Sequence, residues 1–196
     1  MNDLVDRSIA RCEWNLNDVL LTRYHDEEWG TPLHDDQKLF EFLSLDVMQA
    51  GLSWNTILRK RENFQQAFDN FQIEVVASYN ETKILDLLTN PGIVRNKAKI
   101  NAIIQNANRF IAIREEFGSL DKYLWGFTGG RVTQNHWQTL SQIPATSPIS
   151  DAMSKDMVRR GFKFCGSTIL YAVMQSVGMV NDHIVSCFRY KDLCKD

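Results

Sequence analysis

The sequence predicts an all-α fold, and three observations carry that prediction. No stretch of the 196 residues sustains the period-two alternation of a half-buried strand. Apolar residues recur instead at spacings of three and four, most clearly at Ile100, Ile103, Ile104, Ala107, Phe110 and Ile111. Pro91-Gly92 stands just before that run as turn punctuation. Residues 81–113 therefore read as helix, tight turn, helix.

The other elements follow in order. Cys12 to Trp29 mixes aromatic and polar groups, and its part from Asp18 to Glu28 suits a helix that Thr31-Pro32 breaks. Asp35 or Asp36 suits the N-cap of a helix running to about Met48. A charged amphipathic run spans Ile57 to Phe68, with Phe64, Phe68 and Phe71 as core anchors. Asn80 caps a short helix that turns Ile84, Leu85, Leu87 and Leu88 inward. Leu120 to Phe127 is a short aromatic helix, and the polar Thr128 to Pro148 reads as loop. Ser150 is placed to cap a helix ending at Gly161. Ile169, Leu170, Val173, Met174 and Val177 make a last core helix closed by Gly178. Helices of about ten to twenty residues are expected. Without a low-complexity linker or internal repeat, the chain reads as one domain, of one or two lobes.

Composition bounds the function. Net charge is −2, which argues against a large salt-driven nucleic-acid footprint but allows a local basic face. No apolar run reaches membrane-spanning length, and Met1 to Arg11 lacks the apolar core of a secretory signal. A cytoplasmic location is expected. The cysteines are Cys12, Cys165, Cys187 and Cys194. A disulfide framework is not expected in a reducing compartment, and no C-x-x-C pair makes a zinc ribbon.

Five features carry chemistry, each with a plain structural alternative. Asp46 to Trp54 puts a carboxylate, a glycine, a bare leucine and a flat ring into nine residues after an apolar helix. It reads as a buried proton acceptor with an apolar wedge, or as a helix stopped by Gly51. The turn Pro91 to Lys97 frees peptide N–H groups at a helix N-terminus, and Arg95, Lys97 and Lys99 add charge. This is how a helix-hairpin-helix grips a phosphate strand; the alternative is a solvated corner. Cys12 and His25 near one end, with His183 and Cys187 near the other, make a closed zinc set in which the i, i+4 pair shares a helix face. They are otherwise two histidines and two buried thiols. Trp14, Tyr24, Trp29 and Trp54 line a slot for a flat ring, or are core. Arg159 to Phe164 adds backbone contacts, or is a solvated helix end. No P-loop, Ser-His-Asp order or dinucleotide fingerprint is present.

Taken together, these residues resemble the 3-methyladenine DNA glycosylase I (Tag) family. The matching stretches are Arg11-Cys12-x-Trp14, Tyr24-His25-Asp26-x-Glu28-Trp29-Gly30, Gln49 to Trp54, Gly92 to Arg95 with Lys99-Ile100, Arg160 to Phe164 with Gly166, and Val180 to His183. They span nearly the whole chain in order. The resemblance implies a helix-hairpin-helix glycosylase fold with a zinc site joining the N- and C-terminal segments. It implies one glycosylase domain over 1–196, with a helix-hairpin-helix lobe at about 36–125 and a zinc-stapled lobe from both ends. One structural zinc ion is implied at Cys12, His25, His183 and Cys187. Trp14, Tyr24 and Trp54 fall on the base-pocket aromatics, with Trp29 beside them. Gly51 and Leu52 fall on the loop thought to enter DNA, and Gly92 sits in the hairpin with Arg95, Lys97 and Lys99 following. Where the family usually carries a glutamate on the extruded base, this chain has Asp46. Val47 and Met48 also differ from the usual small and polar choices. Aspartate holds its carboxylate about 1.5 Å further back on an unchanged helix.

The activity so implied is hydrolysis of the N-glycosidic bond of 3-methyladenine in alkylated double-stranded DNA, releasing the free base. A flipped, cationic base stacks on the aromatics, with a cation–π term of order 0.5–2 kcal/mol. Already a good leaving group, it needs no strong general acid. No lysine is placed as a nucleophile, so strand cleavage is not expected. A monomer is expected, with no membrane partner. Two readings from other classes stand beside this one. The first is a DNA-damage binder that lost the chemistry, which Asp46 keeps open along with altered lesion preference. The second is a structural zinc domain for protein partners.

Overall fold

A computed structural model describes residues 8–15 and 18–194, and it is helical almost throughout. The helices are α1 Val19–Glu27, α2 Asp36–Gln49, α3 Trp54–Leu58, α4 Arg61–Ala67, α5 Ile73–Ala77, α6 Glu81–Thr89, α7 Lys97–Phe117, α8 Leu120–Gly126, α9 Pro148–Arg159, α10 Ser167–Ser176 and α11 Phe188–Asp192. Side-chain caps start most of them. Asp18 accepts from Leu20 and Leu21, Asp35 from Lys38, Asn80 from Lys83 and Asn96 from Lys99. Each cap is typically worth about 1 kcal/mol.

α2 is the axis of the molecule. From Leu39 to Met48 every residue is buried, the pattern of a helix covered on all sides. α7 packs on it from one direction and α10 from another. The buried apolar residues form one connected core that reaches from Cys12 to Cys187.

The predicted helix, turn and helix over 81–113 are present as α6 and α7, and α7 runs on to Phe117. It stops where Gly118 takes a left-handed φ of 88°. In α6 Leu87 is buried, but Leu85 faces solvent, because nine residues give room for only one narrow apolar stripe. Several helices are shorter than the expected ten residues, being held by packing rather than by their own hydrogen bonds.

Two further expectations are corrected. Ser147, not Ser150, caps α9; Ser150 is the reciprocal partner in a capping box and returns a bond to the Ser147 N–H. Thr133–Gln134 and Val180–Asn181 form a two-residue parallel pair, β1 and β2, too short to show alternation. The tail beyond α10 adds one more short helix, α11, but none of its residues is buried, so α10 stands as the last core helix.

Gly178 is fixed by closeness as well as by its φ of 72°. A Cβ there would lie 2.4 Å from the backbone of Thr31 and Pro32. The end of α10 thus docks backbone to backbone on the α1–α2 connection, where Gly30 donates to the Gln175 carbonyl and Leu33 to the Val177 carbonyl. Among the described residues no helix is long and apolar enough to cross a membrane.

Candidate active site and metal centre

The last turn of α2 brings Asp46 into the wall of a cavity of about 330 Å³. The side chain is 2% exposed, and neither carboxylate oxygen has a hydrogen-bond partner among the described residues. Burial alone pushes its pKa well above the usual carboxylate range. Such an orphaned acceptor is expensive, and a ligand with donors would satisfy it.

Immediately after Asp46 the chain reverses. Ala50, at φ −43° and ψ 114°, and Gly51, at φ 78°, form a type II turn closed by the Leu52 N–H on the Gln49 carbonyl at 2.6 Å. This turn requires glycine at its second central position. Beyond its chain neighbours, no atom of the described residues lies within 4 Å of a Cβ placed at Gly51, so glycine is favoured there by its left-handed φ and not by crowding from within the protein. The turn leaves Leu52 at the surface, 43% exposed. Ser53 then caps α3, bringing Trp54 back to the cavity.

Trp14, Tyr24, Trp29 and Trp54 all line this cavity. Trp14 meets the Trp29 ring edge-on at 5.2 Å, and Tyr24 lies 5.3 Å from Trp54. The Tyr24 hydroxyl donates to Ser176 Oγ at 3.2 Å, and burial keeps the phenol neutral. Two further polar atoms of lining residues are buried without a partner among the described residues: Trp54 Nε1, a donor, and Asn55 Oδ1, an acceptor. The Asn55 amide is oriented by its Nδ2 bond to Asp18 at 2.9 Å. Two acceptors and one donor in an aromatic slot complement an adenine edge, where an amino donor adjoins a ring-nitrogen acceptor.

Sequence reasoning missed Leu21, Gln49, Ser53, Asn55, Ala172, Gln175 and Ser176 in this lining. The α10 residues carry no local signal, and only the packing of α10 on α2 brings them here. Gln175 is held by Asp182, a buried carboxylate that also accepts from Asn135, Trp137 and Tyr171.

On the far side of Trp14 and Trp29, Cys12, His25, His183 and Cys187 converge, all buried, with ligand atoms within 4.8 Å of one another. His25 Nε2 lies 3.1 Å from His183 Nδ1; Cys187 Sγ lies 3.5 Å from each of these nitrogens, and Cys12 Sγ 3.7 Å from His183 Nδ1. Tetrahedral zinc with ordinary bond lengths would set these edges at about 3.3 Å and about 3.6 Å. The other ring nitrogens are already engaged: His25 Nδ1 with Asp26 at 2.7 Å, and His183 Nε2 with the Trp29 carbonyl at 3.0 Å. Such outer bonds fix which nitrogen faces a metal, and Arg11 in turn pairs with Asp26. The donor set fits zinc. His183 and Cys187 do not share a helix face as expected; they lie in a turn closed by the Cys187 N–H on Ile184, and Cys187 precedes α11.

The basic hairpin is only partly as expected. Arg95 and Lys97 are exposed, Lys97 in a loose 3.6 Å pair with Glu81. The Gly92 N–H is not free for an anion, because Asn90 Oδ1 accepts it at 2.8 Å. Room there is tight, since a Cβ would come within 3.0 Å of Asn90 Oδ1 and 3.2 Å of Asn63. The Val94 and Arg95 N–H groups have no partner among the described residues. Lys99 is no phosphate ligand here. It is 6% exposed, and its ammonium donates to the Met48 and Ala50 carbonyls at 2.9 and 2.5 Å. Of the Arg159 to Phe164 run, Arg160 is tied to Glu116 and Asp156.

A helical frame that floors a ring-sized aromatic slot with one carboxylate is that of the helical DNA glycosylases. Within that class the chain belongs to the methyladenine glycosylase family, whose model matches residues 14–190. It is 43% identical over 182 residues to DNA-3-methyladenine glycosylase 1 of Escherichia coli K12, covering 93% of this chain and 97% of that protein. A crystal structure of 3-methyladenine DNA glycosylase I superposes with a TM-score of 0.89 at 44% identity, covering 91% of this chain and 98% of that one. The Staphylococcus aureus enzyme, solved for its recognition of 3-methyladenine, gives 0.88 at 33% identity over 91% and 95% of the two chains.

Proposed function

We propose that this chain is a base-excision repair enzyme that hydrolyses the N-glycosidic bond of 3-methyladenine in alkylated double-stranded DNA. The observation that carries it is the unpartnered, buried Asp46 carboxyl facing the Trp14, Tyr24, Trp29 and Trp54 slot. Its relatives carry the same activity in their names.

The base must leave the stack to reach this slot. Leu52 fills the gap it leaves, and Arg95, Lys97 and the hairpin N–H groups hold the backbone. Inside, the lesion's positive charge acts twice. It gains cation–π attraction from the tryptophans, and it favours the ionised Asp46 carboxylate, any proton the acid holds passing to solvent, so that base and carboxylate form a charge-assisted pair. Neutral adenine supplies no charge to ionise Asp46 and gains neither. The cationic purine then departs as a neutral base, and Asp46 needs to donate no proton.

The reaction stops at base release. A Schiff-base route needs an amine at the sugar, and the slot lining contains no lysine. Lys99 has its ammonium committed to carbonyls.

One structural zinc held by Cys12, His25, His183 and Cys187 ties the first segment of the chain to the last and backs the Trp14–Trp29 wall. Its ligands are closed around it, so it supplies no reacting group.

The test is release of 3-methyladenine from methylated duplex DNA, with the strand left intact until alkali is added. Retention of the DNA with no base released at high enzyme concentration overturns the proposal.

A further inference from the structure

Lys99 stands where a lysine is disfavoured twice. It lies in the first turn of α7, where a cation opposes the helix dipole. Its ammonium is also buried without a carboxylate, and burial lowers its pKa. What it holds must offset this. Its two acceptors, Met48 and Ala50, are the carbonyls on either side of the point where α2 ends and the type II turn begins. A cation there satisfies carbonyls that the helix cannot and meets the favourable end of the α2 dipole. The same residue begins three positions after the hairpin cap Asn96. One side chain therefore spans the two parts of the molecule that would meet DNA.

We infer that Lys99 is a positioning residue, a brace that fixes the Gly51–Leu52 turn at a set height above the hairpin, so that a backbone gripped at Arg95 and Lys97 meets Leu52 at the correct depth. The inference rests on the glycosylase reading above. Lys99 does not line the slot, and little of it reaches the surface. Its action is one of placement.

The experiment is a double-mutant cycle between Lys99→Met and Leu52→Ala on the full chain. Single-turnover excision from methylated duplex at saturating enzyme is read beside binding of free 3-methyladenine and of undamaged duplex. Lys99→Met is expected to slow excision tenfold or more. Free-base affinity and duplex affinity should each stay within twofold, and the salt slope should be unchanged. In the Leu52→Ala background the same change should cost less than twofold, because the part being positioned is already gone. Three results overturn the inference: additive losses, an equal fall in free-base binding, or a drop in duplex affinity with the salt slope reduced by about one, the mark of a phosphate contact. If Lys99→Met does not fold, Lys99→Arg, which keeps the charge but not the fit, is carried through the same cycle and read by the same coupling. A wild type that releases no base defeats the functional reading. A wild type that works, with an additive cycle, defeats only the brace.

Discussion

At the scale of single residues, Asp46 is the residue proposed to recognise the base, and its environment gives two expectations. Asp46→Glu advances the carboxylate by about 1.5 Å into a cavity that has room for it. Free 3-methyladenine should bind roughly tenfold tighter, one hydrogen bond's worth to a charged group, as read by tryptophan fluorescence. Unchanged or weaker binding would show that Asp46 already reaches the base. The second expectation concerns pH. Burial raises the folded-state pKa of Asp46, while the unfolded value stays at about 3.9. Between those two values the folded state holds the extra proton, so stability falls as pH rises. Asp46→Asn has no such group. Its melting temperature should gain on the wild type progressively above about pH 4, and a difference independent of pH would contradict the burial. Leu52 carries the opposite expectation. Exposed and outside the core, it can be cut to alanine with a stability change within about 0.5 kcal/mol. Excision from duplex should drop at least tenfold with free-base binding unaltered.

At the scale of elements, the hairpin and the turn after α2 are the two parts proposed to hold DNA. Arg95→Ala and Lys97→Ala should each weaken duplex binding alike for all sequences and lower the salt slope by about one, measured by titration at several ionic strengths. A slope unchanged in both variants would place the backbone elsewhere. This is also the scale at which the sequence was most readable. The caps Asp35 and Asn80, the Pro91-Gly92 turn and the spacing from Ile100 to Ile111 are local signals, and α2, α6 and α7 form where they indicate. Lys99 shows the limit. In a linear reading it is a third cation beside Arg95 and Lys97, and only tertiary packing turns it inward. Gly92 likewise was legible as a turn glycine but not for its tight surroundings, since one neighbour that crowds it, Asn63, lies 29 positions earlier. β1 and β2 are too short to carry any periodicity.

At the scale of the whole molecule, the metal set is the feature that closes the structure. Its four residues were visible in the sequence, though the turn that presents His183 and Cys187 was not, because spacing of four residues fits a helix as well. Cys187→Ala should yield protein without stoichiometric zinc and should lower the melting temperature by about 10 °C, as expected when a few kcal/mol are lost from a chain this size. Metal analysis beside thermal unfolding checks it, and a zinc-free protein of full stability would refute the staple. The slot lining contributed by α10 belongs to this scale too. Ser176 bonds Tyr24 across 152 positions, and nothing near either residue announces the other.

The contact between the two ends of the chain has a consequence for synthesis. His183 and Cys187 are made long after the Trp14–Trp29 wall they back. Until then Cys12 and His25 lack the other two members of their cluster. A nascent chain that has passed α7 but not reached His183 carries the hairpin and the Gly51–Leu52 turn with only two of the four metal-site residues, so the cluster that backs the aromatic wall is the last part of the site to be assembled.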